Sequence, residues 1–132
     1  MILEMIEVRQ DGLINMEKIA VRGIAKKGDK YLLVQRSKNS SKSGYWQFPG
    51  GKSDNQHPIK ALKREFKEET GLNISNIKKL KKVCNMKFCT IFYKVKPKGK
   101  IKLQKSELQN YGWFTKKQAK KLPLTYGGKE II

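Results

Sequence analysis

The chain has 132 residues, 38% of them hydrophobic, and its 30 basic against 11 acidic residues give a formal net charge of +19. That length suits one domain spanning residues 1–132, and that apolar content fills one core. No apolar run is long enough to cross a bilayer, and Met1–Glu7 is too short and too acidic for an export signal, so the expectation is a soluble, cytoplasmic protein with no membrane partner. Cys84 and Cys89 lack metal-finger spacing, and in an intracellular chain two such residues read as reduced packing residues.

Ile19–Ala25 and Tyr31–Gln35 read as strands joined by a Gly28-Asp29 hairpin turn, and Ser37–Gly44 as a polar loop. Tyr45-Trp46-Gln47-Phe48 is apolar and strand-like, with Trp46 and Phe48 placed in the core by alternation, and it ends in Pro49-Gly50-Gly51-Lys52, a turn out of a strand. After a loop through Asn55 and Gln56, Pro58 stands where a first helical residue would, with its φ already fixed and no N–H to lose. The helix runs from there to Thr70. Ile59, Leu62 and Phe66 form its buried stripe, and Gly71 ends it. Phe88–Val95 is a strand broken by Pro97-Lys98-Gly99, Ile101–Leu103 a short edge strand, and Tyr111–Phe114 a further strand. Thr115 caps a helix over 116–122.

Glu65, Glu68 and Glu69 are the anomaly. At i, i+3, i+4 they share a helix stripe in which like charges repel by a few tenths of a kcal/mol per pair, about 0.2–0.5. Glu68 and Glu69 also fall in the last turn, at the negative end of the helix dipole, where lysine would be more stable. A chain rich in lysine that places acids there is compensated most simply by a hard cation with oxygen ligands, such as Mg²⁺. The alternative is a solvated face on which Lys60, Lys63 and Lys67 pair with the glutamates.

The strand, the glycine loop and above all Arg64-Glu65-Phe66-Lys67-Glu68-Glu69-Thr70-Gly71-Leu72 resemble the Nudix hydrolase family. In its signature, Arg-Glu, an apolar residue, any residue, Glu-Glu, any residue and Gly follow a distant Gly and a first Glu. The first half departs: counted from Gly51 the loop is one residue short, counted from Gly50 it closes, and in either case Gln56 stands for the first Glu. The resemblance implies an α/β fold, an α/β/α sandwich around a mixed β-sheet. It also implies Mg²⁺-dependent hydrolysis, with Mn²⁺ as a substitute, of a diphosphate linkage in a nucleotide substrate. By the same resemblance Glu65, Glu68, Glu69 and the Gly51 carbonyl would hold the metal, with Glu107 as a further acid. Glu65 would be the base for the attacking water, with Glu68 also in the catalytic set and Arg64 as orienting partner. Arg36, Lys52 and Tyr126 are the candidate substrate contacts, Tyr126 by stacking on a base.

Two functions remain open. One is house-cleaning hydrolysis of a nucleoside triphosphate to monophosphate and pyrophosphate, as in MutT-type members. The other uses the 26 lysines, which include a dense Lys78–Lys82 run and a comb at 94, 96, 98, 100 and 102 whose period of two reads as one face of a strand pair. Such a face suits RNA phosphates, making the chain an RNA 5′-pyrophosphohydrolase or a non-catalytic nucleic-acid-binding module.

Overall fold

The computed structural model describes residues 6–8, 14–16 and 18–132. Met1–Met5, on which part of the export-signal expectation rests, lie outside them. Strands β1 (Ile6–Val8) and β2 (Ile14–Met16) pair antiparallel as a separate ribbon. Then follow β3 (Ile19–Lys27), β4 (Lys30–Arg36), β5 (Trp46–Gln47), β6 (Gly50–Lys52), α1 (Pro58–Thr70), β7 (Asn73–Cys84), β8 (Cys89–Lys98), β9 (Leu108–Thr115), α2 (Lys116–Ala119) and α3 (Gly128–Ile131). The main sheet runs β5-β4-β3-β8-β7, with β6 also on β3 and β9 also on β4.

Strand β3 organises the sheet. Its far end turns through Gly28 at φ 63° into β4, while its first half takes β6 antiparallel, Val21 opposite Gly51. Along its other edge it pairs parallel with β8, and this makes the sheet mixed. Alternation along β3 sends Ile19, Val21 and Ala25 to one face, where they pack with Ala61, Leu62 and Phe66 of α1. Ile24 points to the other face, with Trp46, Phe48, Phe92 and Ala119 of α2. Helices therefore cover both faces, as the resemblance implied. Gly23 lets α1 approach closely, because a Cβ there would lie 2.7 Å from the Phe66 ring.

Helix α1 has the anticipated bounds. Pro58 opens it, the His57 side chain accepts the Ile59 N–H, and Gly71 closes it in the left-handed region at φ 77°. Two details of its buried face differ from the sequence reading. Ile59 is 37% exposed: its angle on the helix is right, but a first-turn side chain leans toward the N-terminus, past the surface it would pack on. Glu69 falls within the buried stripe rather than beside it, only 4% exposed.

Other elements depart from expectation for identifiable reasons. The Lys78–Lys82 run lies within β7, a sheet-edge strand of the kind that lysine protects from edge-to-edge pairing. Strand β8 continues through Pro97, which stands past the end of the β3–β8 register, where a proline is tolerated. Ile101–Leu103 is no strand; the segment crosses the end of α1, and the Lys102 and Gln104 N–H groups donate to the Thr70 and Glu69 carbonyls. Of the comb, Lys94, Lys96 and Lys98 alternate on β8, whereas Lys100 and Lys102 lie beyond it. Thr115 caps α2 through a full capping box, but the helix stops at Ala119.

Cys84 and Cys89 are joined in a disulfide, contrary to the reduced state expected. Their spacing looked uninformative because it is set by a hairpin: the β7–β8 register puts the two residues directly opposite each other across the turn 85–88. No helix among the described residues is long and apolar enough to cross a membrane.

Candidate active site

A cleft of about 910 Å³ opens where the start of β3, the β6 glycines, one flank of α1 and several loops converge. Arg22, Gly50, Gly51, Glu65, Glu69 and Glu107 all line it. Gly50 is required at this junction by the backbone, and Gly51 leaves room for the Glu65 carboxylate. A Cβ on Gly50 would overlap the Val21 carbonyl, because β6 is pressed against β3, and one on Gly51 would overlap the Glu65 carboxylate.

Glu69 is the buried acid of the site. Its Oε1 accepts the Gly50 N–H at 2.9 Å. Burial pushes its pKa up to about 7, opposed by the charge of Arg22 and the Gly50 hydrogen bond and reinforced by Glu65 and Glu107. The Glu65 pKa is raised as well, first by burial, although Arg64 Nη1 donates to its Oε1 at 3.0 Å. Arg22, held by a 2.9 Å hydrogen bond to the Phe48 carbonyl, has its pKa lowered by burial and raised again by Glu69. Desolvation is thus the first cause that disfavours the charged forms of Glu65 and Glu69.

Glu68 is placed differently from its neighbours. Its side chain is 48% exposed, it pairs with Arg64 at 3.7 Å, and it does not line the cleft. Among the described residues no three His, Cys, Asp or Glu side chains stand together as a metal cage. The donor set still fits a hard divalent cation on chemical grounds, since it consists of carboxylates and backbone oxygen around a desolvated acid.

Arg64 links the helix to the loop before it. Its Nε donates to Gln56 Oε1 at 2.8 Å, its Nη2 reaches the Lys52 carbonyl at 3.4 Å, and Asp54 lies 3.7 Å away. Arg36 lines the cleft, but its guanidinium is held by the Ser41 carbonyl and hydroxyl and by Gln47. Lys52 is exposed along the rim. Tyr126 also borders the cleft, its hydroxyl donating to the Cys84 carbonyl and its ring edge-on to Phe88 at 6.0 Å.

The sequence reading missed Arg22, Lys87 and Phe88 as cleft residues. Arg22 carried a signal, because an arginine inside the apolar alternation of β3 must be buried or at a site. Lys87 and Phe88 carried none, being brought in by the β7–β8 turn.

The NUDIX domain family matches residues 16–132, nearly the whole chain. The chain belongs to the Nudix family. A relative described as 8-oxo-dGTP diphosphatase, from Proteus vulgaris, is 41% identical over 58 residues. That match takes in 43% of this chain and 52% of the relative, about half its length. Among solved structures, the MutT Nudix hydrolase of Burkholderia pseudomallei superposes with a TM-score of 0.78 at 22% identity, covering 88% of this chain and 95% of that one. A Nudix hydrolase from Nitrosomonas europaea gives 0.74 at 16% identity, covering 91% and 72%. At such identities these likenesses establish the Nudix fold.

Proposed function

We propose that this chain, acting as a single cytoplasmic Nudix domain over residues 1–132, hydrolyses a nucleoside triphosphate to monophosphate and pyrophosphate with Mg²⁺, or Mn²⁺ in its place. The observation that carries this is the desolvated Glu69, with its pKa pushed up to about 7, beside Glu65 and Gly51 in one cleft. Burial disfavours the charged form of that carboxylate, and a bound cation would favour it.

Glu65, Glu69 and Glu107, with the Gly51 carbonyl, line the cleft and would hold the metal, and Glu68 would join them by turning in from its Arg64 contact. When bound, such an ion supplies charge neutralisation for the phosphates and acidifies water. Glu65 takes the proton of the attacking water, and Arg64 orients it through the 3.0 Å hydrogen bond. Arg36 and Lys52 meet phosphate oxygens, and Tyr126 offers a face to the base. The relative described as 8-oxo-dGTP diphosphatase makes an oxidised purine nucleotide the first substrate to try.

A second reading, RNA 5′-pyrophosphohydrolase, is favoured by Lys94, Lys96 and Lys98 projecting from β8, with Lys78 directly opposite Lys94 on β7. Like charges so placed are mutually repulsive and suit a polyanion.

The test is a substrate panel of dGTP, 8-oxo-dGTP, a dinucleoside polyphosphate, ADP-ribose and 5′-triphosphate RNA, each with Mg²⁺ and with chelator. Metal-dependent release of pyrophosphate from a nucleoside triphosphate is expected, and Glu65→Gln and Glu69→Gln lower turnover by orders of magnitude. Full activity in excess chelator, or in both variants, ends the reading.

A further inference from the structure

The turn between β7 and β8 forms part of the cleft wall. Lys87 and Phe88, at its tip, face the same cavity as Glu65 and Glu69, a cationic and an aromatic group beside the carboxylates. Within the turn, Asn85 Oδ1 accepts the Lys87 and Phe88 N–H groups, and the Asn85 N–H donates to the Phe88 carbonyl. Beyond the β7–β8 ladder itself, three ties among the described residues fix this tip, one across its own base and two to the body of the protein. The Cys84–Cys89 disulfide joins the two strand ends, the Cys89 N–H donates to the Lys18 carbonyl, and Tyr126 binds the Cys84 carbonyl while its ring meets Phe88. Of the three, only the disulfide can be opened by chemistry.

We propose that the Cys84–Cys89 disulfide is a redox-operated positioning element for substrate binding: closed, it holds Lys87 and Phe88 in the cleft wall, and opened by a dithiol it releases them. This rests on the hydrolase reading of the same cleft. The two sulfurs differ in access, Cys84 being exposed and Cys89 only 6% exposed. A thiolate of the dithiol attacks Cys84 Sγ, the S–S bond breaks, and Cys89 leaves as a thiolate that takes up a proton. The second thiol of the reductant then displaces Cys84. Two electrons pass to the protein, the dithiol becomes a cyclic disulfide, and two thiols remain on the chain.

Release acts on binding rather than on the chemical step. The carboxylates sit on α1 and on the loop at Glu107, which the turn 85–88 does not carry. A loosened tip must be ordered again each time substrate enters, and that cost falls on KM. The reverse, oxidation, preorganises the wall.

The experiment compares oxidised protein, protein reduced with dithiothreitol, reduced protein after reoxidation, and Cys84→Ser/Cys89→Ser, using dGTP as substrate. Reduction is expected to raise KM by about three- to tenfold while kcat stays within about twofold, and reoxidation restores the lower KM. Hydrogen exchange, read separately, shows faster exchange of the Lys87 and Phe88 amides in the reduced and doubly substituted forms, and this holds with or without dGTP turnover. Equal amide protection in oxidised and reduced protein overturns the proposal, as does an equal KM. A fall in kcat at constant KM also overturns it, marking a merely structural bond. Absence of dGTP hydrolysis in every form tells against the hydrolase reading instead, and the exchange result then decides whether the disulfide positions the tip.

Discussion

Arg64 donates from Nε to Gln56 Oε1 at 2.8 Å, so the residue that stands in place of the family's first glutamate still engages the signature arginine. An amide oxygen makes this contact without charge. Asp54 and Asn55, both in the left-handed region at φ 51° and 65°, fold the loop tightly enough to bring Gln56 back over the helix.

Gln56→Glu therefore meets a partner already in place. The new carboxylate strengthens the hydrogen bond to Arg64, and because both groups are partly exposed the gain is about 0.5 kcal/mol. Turnover stays equal or rises modestly. Thermal melting and steady-state kinetics with Mg²⁺ check this, and a severe loss of activity would show a corner built around a neutral side chain.

Substitution of the last-turn glutamates by lysine separates two positions that look alike in the sequence. On charge repulsion and helix dipole alone, both Glu68→Lys and Glu69→Lys stabilise the metal-free protein. In the structure, Glu68 pairs with Arg64, which offsets that gain, so Glu68→Lys changes stability by less than about 0.5 kcal/mol. Glu69→Lys buries a second cation near Arg22 and loses the acceptor for the Gly50 N–H, a loss of about 2–4 kcal/mol. Chemical denaturation of both variants in chelator distinguishes them, and stabilisation of Glu69→Lys would contradict the buried placement.

The metal-free protein should lose stability as pH rises. Glu69 takes up its proton at about pH 7 when folded but in the ordinary carboxylate range when unfolded, so the folded state holds more protons in between. Its contribution is fully present below the unfolded pKa and is lost as pH rises through about 7, on the order of 1–3 kcal/mol. Glu65, also raised, acts in the same direction. Melting temperatures in chelator at about pH 5 and about pH 8 measure the slope. Glu69→Gln flattens it. An equal slope in wild type and variant would place the titration elsewhere.

Salt separates nucleotide from RNA. If Lys78, Lys94, Lys96 and Lys98 track an RNA strand, KM for 5′-triphosphate RNA climbs steeply with salt, with a log–log slope of several units, while that for dGTP changes little. The expected outcome is a higher kcat/KM for the nucleotide at about 150 mM salt. An advantage of about tenfold or more for RNA there would replace the first reading by the second.

Much of this protein was legible before folding because its information is local. Pro58 and Gly71 bound α1 through backbone geometry that any context respects, Gly28-Asp29 marks the hairpin, and Phe66, Trp46 and Phe48 are buried by periodicity. The Nudix resemblance likewise rested on Arg64, Glu65, Glu68, Glu69 and Gly71 within one helix and its cap. What required the tertiary structure is whatever depends on which strand lies beside which. Helical spacing places Glu65, Glu68 and Glu69 together, but the packing of α1 against β6 turns Glu69 inward onto the Gly50 N–H and leaves Glu68 outside the cleft. Arg22 joins the site because β3 is the strand that carries β6, and Cys84 meets Cys89 because the β7–β8 register sets them opposite each other. Desolvation also belongs to the assembled fold: a carboxylate is an ordinary acid until neighbouring elements exclude water from it, and that exclusion moves Glu69 toward neutrality and calls for a cation.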